Sequence, residues 1–192
     1  MLSKYFLVAL VIAHCSLICA EEEWITHREW PYLTSEALKT RYAITSYLLR
    51  DCDMIIEIGG YKTPISDFVT DKDVIVIDPK IERKITEKVV HLPIKIQDWN
   101  GSIRSSNYAV VILGMDLHLD DSGWKRVFEL INGSKRTVIE FSASYKPAHQ
   151  QFKFICDNIT KNKSVGVKLD LTENDTSKYL EFYPHRNLYC FE

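Results

Sequence analysis

Two acids and a glycine pair are spaced as a nucleoside-binding turn requires. Glu57 interrupts the apolar run Met54, Ile55, Ile56 and Ile58, and Gly59-Gly60 follows directly. A buried carboxylate needs polar partners, and the backbone N–H groups of the turn are the nearest ones. Glycine lets the chain turn with no Cβ in the way of a ligand. Asp78 ends a second apolar run, Val74 to Ile77, about 20 residues after Glu57. An acid at that distance accepts hydrogen bonds from ribose hydroxyls. Its plainer reading is turn chemistry before Pro79. Thr63 and Pro64 read as the cap and first residue of a short helix, about 64–69, whose N–H groups favour an anion.

A second group of candidates follows the most apolar run, Tyr108 to Leu113. Gly114, Asp116 and His118 come next. An imidazole with a carboxylate two positions away can act as a general base; the alternative is a surface histidine in a loop. Asp98 and Trp99 follow another apolar stretch, and Tyr145 and His149 a further one. No Cys/His spacing suggests a metal site.

These residues need elements to hold them. A helix is expected from Ser35 to Leu49, with Ala37, Arg41, Ile44 and Leu48, and Leu38, Tyr42, Thr45 and Leu49, on its inward stripe. Strands are expected at 54–58, 74–78, 89–96, 108–114, 136–141 and 164–171, with a closing strand within 179–191. Pro93 places the third of these toward an edge. Helices are expected at 124–131 and 148–158, and a weak helix or loop at 81–86. The alternation predicts an α/β fold, doubly wound around a mostly parallel sheet.

The chain has 192 residues, 46% hydrophobic and 26% charged, with a net charge of −2. That suits one globular domain. No Lys/Arg cluster stands out, and nothing suggests a nucleic-acid partner. Residues 1–20 read as a signal peptide, with Lys4, a short apolar run from Tyr5 to Ala13, and Ala20 before three glutamates. The run is too short for a comfortable membrane span, although an uncleaved anchor is the alternative. Residues 21–34 form an arm carrying Trp24, Trp30 and Tyr32, and the domain covers 35–192. Asn100, Asn132, Asn158, Asn162 and Asn174 each head a glycosylation sequon, so the protein is expected to be a secreted glycoprotein. Of Cys52, Cys156 and Cys190, the last two are the candidates for a bridge.

The order of elements, with Glu57-Ile-Gly59-Gly60, Asp78, Asp98 and Leu113 to His118, resembles the class I S-adenosylmethionine-dependent methyltransferases from Ser35 to the C-terminus. The resemblance implies a Rossmann-like sheet with an antiparallel last strand, and S-adenosyl-L-methionine as cofactor. Gly59 and Gly60 would admit the methionine part, Asp78 would hold the ribose, and Asp98 and Trp99 would lie near the adenine. Gly114 to His118 would line the methyl-transfer site. The family's first motif carries further glycines where this chain has Tyr61 and Thr63, and Tyr61 is bulky enough to fill cofactor space. Two functions follow: a small secreted methyltransferase, or a non-catalytic relative serving as a secreted binding module. A nicotinamide dehydrogenase is the weaker third reading, because the Gly-x-Gly-x-x-Gly fingerprint is absent.

Overall fold

The computed structural model describes residues 36–113, 119–142, 146–170 and 186–192. Helix α1 (Glu36–Leu48) leads into β1 (Met54–Ile58). A 3₁₀ turn (Ile65–Asp67) precedes β2 (Asp73–Ile77), β3 (Lys84–Ile85) and β4 (Val89–Leu92). A second 3₁₀ turn (Ile96–Asp98) precedes β5 (Tyr108–Ile112), α2 (Asp121–Gly133), β6 (Arg136–Ser142), α3 (Lys146–Ile159), β7 (Val165–Asp170) and β8 (Arg186–Phe191).

The strands form one sheet in the order β3-β4-β2-β1-β5-β6-β8-β7. Neighbours from β4 through β6 pair in parallel. The β8 strand runs antiparallel to both β6 and β7. Every residue of β1 and β5 is buried, as continuous apolar runs covered on both faces should be. Alternation splits β1 between two cores. Met54, Ile56 and Ile58 face α2 and α3, where Val127, Leu130, Phe152 and Ile155 pack. Ile55 faces α1, with Tyr42, Leu49, Ile65 and Val69. The chain order reverses across β1 and β5, the position where open α/β sheets bind ligands beyond their strand ends.

Four sequence expectations are corrected. The segment 81–86 contains strand β3, which pairs antiparallel with β4. The helix at 64–69 shrinks to a three-residue 3₁₀ turn capped by Pro64 rather than by Thr63. Thr63 is buried, and its carbonyl accepts the Tyr42 hydroxyl at 2.9 Å. The third strand stops at Leu92, just before Pro93, whose missing N–H cannot continue a ladder. Finally, Cys156 and Cys190 are free thiols. Cys156 packs in the core beneath α2 and α3 and Cys190 in the core beneath α1, so the sheet separates them. The expected strand at 179–183 lies outside the described residues.

Candidate functional site

The loop after β1 begins with a ladder bond, from Gly59 N–H to the Ile77 carbonyl at 3.0 Å. Gly59 then adopts φ 80°, a conformation glycine takes without penalty. Gly60 is needed for a different reason. A Cβ there would sit 2.6 Å from Val76 Cγ1 and 2.9 Å from Glu57 Oε2. Its missing side chain lets the loop press onto β2 and Glu57. Tyr61 follows at φ 32°, uncommon for a non-glycine residue.

Asp78 holds that conformation. From the tip of β2 its Oδ2 accepts Tyr61 N–H at 3.1 Å, and its Oδ1 accepts Lys80 N–H at 2.7 Å. Beneath the loop, Glu57 is 1% exposed and its Oε2 accepts Ile65 N–H at 2.7 Å. That N–H is therefore taken by the chain's own carboxylate. Burial pushes the Glu57 carboxyl from 4.5 to about 8, outweighing the Ile65 N–H and the Arg41 guanidinium, which pull it down.

Asp78 thus joins the tips of the neighbouring strands β1 and β2. Asp98 lies beyond β4, the next strand along, and is exposed. Trp99 is buried, with the Arg126 guanidinium 5.2 Å above its ring. Tyr61 lines a flanking cleft with Lys62, whose ammonium is 5.5 Å from the Tyr61 ring centroid. Gly114, Asp116, His118 and Tyr145, and the side chain of His149, lie outside the described residues.

Sequence reasoning missed the flanking cleft and its buried Ser66–His91 pair, Oγ to Nε2 2.7 Å. The signal available was Lys80-x-x-Arg83-Lys84, facing Lys62 across the loop.

No family model matches the sequence, and no curated protein matches it. Solved structures do match. The N-methyltransferase NodS from Bradyrhizobium japonicum, in complex with S-adenosyl-L-homocysteine, superposes with TM-score 0.64 at 10% identity, covering 89% of this chain and 94% of that one. The methyltransferase domain of a bacterial Hen1 gives 0.58 at 14% identity, covering 80% and 97%. A Streptococcus mutans putative methyltransferase, also in complex with S-adenosyl-L-homocysteine, gives 0.52 at 10% identity, covering 82% and 99%. The fold is that of the class I S-adenosylmethionine-dependent methyltransferases, as the motif residues and element order imply.

Proposed function

We propose that this chain binds S-adenosyl-L-methionine and acts as a small methyltransferase of the secretory pathway. One observation carries the reading: Asp78 stands at the tip of β2 with its carboxylate beside the Gly59–Gly60 loop. An ionised carboxylate has about four lone-pair positions, and the loop amides of Tyr61 and Lys80 use two. The remainder suit the vicinal hydroxyls of a ribose. Gly59 would admit the methionine part, and Asp98 would face the adenine. The cofactor supplies an electrophilic methyl group, and the chain's task is to hold the acceptor in line with it. Asp116 and His118 are assigned to that task, with His118 as the base where the acceptor must lose a proton.

The second reading, a non-catalytic module, is favoured by Tyr61 and Thr63 standing where the family carries glycines. The place of Tyr61 in the lining of the flanking cleft favours binding instead.

Calorimetric titration of the folded protein with S-adenosyl-L-homocysteine separates the two. Micromolar binding is expected, strongly weakened in Asp78→Asn, which keeps an acceptor for the loop but removes the charge. A folded protein that gives no heat fails the cofactor reading and leaves the module.

A further inference from the structure

A cleft of about 540 Å³ opens between the loop after β1 and the crossover from β2 to β3. It has the volume of a small-molecule site. Lys62 enters it from one wall; Lys80, Arg83 and Lys84 enter from the other. Asp67 and Glu82 also line it, so four cations stand against two acids in a chain whose net charge is −2. Among the described residues no ion pair ties Lys80, Arg83 or Lys84 to an acid.

The walls are fixed. His91 Nε2 lies 2.7 Å from Ser66 Oγ. Asp78 fastens Tyr61 N–H of one wall to Lys80 N–H of the other. Tyr61 and Ile81 add an apolar surface beside the charges.

We propose that this cleft binds a phosphate monoester, a doubly charged phosphate group joined to an apolar or cyclic body. Cations from two directions suit a group with two charges and three acceptor oxygens better than a lone carboxylate. Tyr61 and Ile81 are placed to cover the body of the ester. The inference goes beyond the methyl-transfer reading; the two share Asp78, which fixes the cleft walls here, while the cations of the cleft have no part in that reading.

The test is calorimetric titration of the purified protein with phenyl phosphate, phenyl sulfate and the two inorganic ions. Saturable binding of phenyl phosphate at one site is expected, tighter than that of inorganic phosphate and of phenyl sulfate, whose ester carries a single charge; phenyl sulfate binding as tightly as phenyl phosphate overturns the choice of group. The triple variant Lys80→Ala, Arg83→Ala, Lys84→Ala is expected to weaken binding roughly tenfold or more. A charge-matched set on the helical side, Lys125→Ala, Lys153→Ala, Lys161→Ala, should leave it within about twofold. Should the first triple variant unfold by circular dichroism, Arg83→Gln, at an exposed side chain, carries the same comparison at smaller amplitude. Absence of saturable binding overturns the proposal, as does equal loss in both variant sets. Because S-adenosyl-L-homocysteine binding is measured separately, either reading fails without the other.

Discussion

Glu57 is where a single residue most constrains this molecule. Its carboxyl is raised from 4.5 to about 8 by burial. Between those pH values the unfolded chain releases the proton while the folded chain keeps it. Folded stability therefore erodes as pH rises through that window, and the loss is complete above about 8. Glu57→Gln keeps an oxygen for Ile65 N–H and removes the titration. The melting temperature of the parent protein is expected to fall relative to Glu57→Gln from pH 5 to pH 8, both values rough brackets of the window. Calorimetry across that range checks it; parallel profiles for the two proteins would sink the idea. The sequence showed that Glu57 was buried and needed partners, because four apolar neighbours surround it. It did not show that the partner is Ile65, since that depends on how tightly Gly60 lets the loop fold back.

At the scale of elements, α1 is tied to the far side of the sheet by one buried ion pair. Arg41 Nη1 donates to Glu140 Oε2 of β6 at 2.7 Å, with both side chains almost fully buried. Arg41 Nη2 also donates to the Tyr42 hydroxyl at 2.6 Å. Arg41→Met removes the cation that Glu140 holds at 2.7 Å in a buried setting and is expected to cost about 3–5 kcal/mol in urea unfolding. Adding Glu140→Leu should recover most of that loss; a double variant no more stable than the single one contradicts the account. Elements with strong periodicity were legible beforehand: β1, β5, α2 and α3 all lie where their apolar patterns place them. Strand β3 was not, because Lys84 and Ile85 are both exposed and two residues carry no period. The 3₁₀ turn was misread as a longer helix because Thr63-Pro64 resembles a cap, while Glu57 supplies the acceptor a cap would have provided.

For the whole molecule, charges and sequon asparagines are arranged in space rather than along the chain. Only Lys80, Arg83 and Lys84 are neighbours in the sequence, and Lys62 is separated from them by an entire turn and strand. Folding brings them to one cleft. The sequon asparagines Asn132 and Asn162 likewise meet, with Nδ2 of Asn162 donating to Oδ1 of Asn132 at 3.2 Å. Both lie at the edge of the sheet opposite the glycine loop, where α2 and the turn after α3 end. Expressed with its own N-terminus in a eukaryotic cell, the protein is expected in the medium, and to gain mobility on a denaturing gel after removal of N-glycans. Retention inside the cell without a mobility shift counts against the secretory reading. The mostly parallel, doubly wound character of the sheet was legible in the sequence from the alternation of elements, and the Asp78 position from its distance to Glu57. The cysteine arrangement was not, because proximity to one end of the sheet does not reveal which face a thiol occupies.

The bonds from Asp78 to the amides of Tyr61 and Lys80 also bear on how a ligand would be received. They preorganise the strand tips, so a ligand arriving there meets a loop already ordered and loses little entropy in ordering it. The same bonds make the carboxylate a shared acceptor. Were the proposed ribose to bind there, its diol would have to fit the directions the amides leave open, so Asp78 would trade tightness for discrimination.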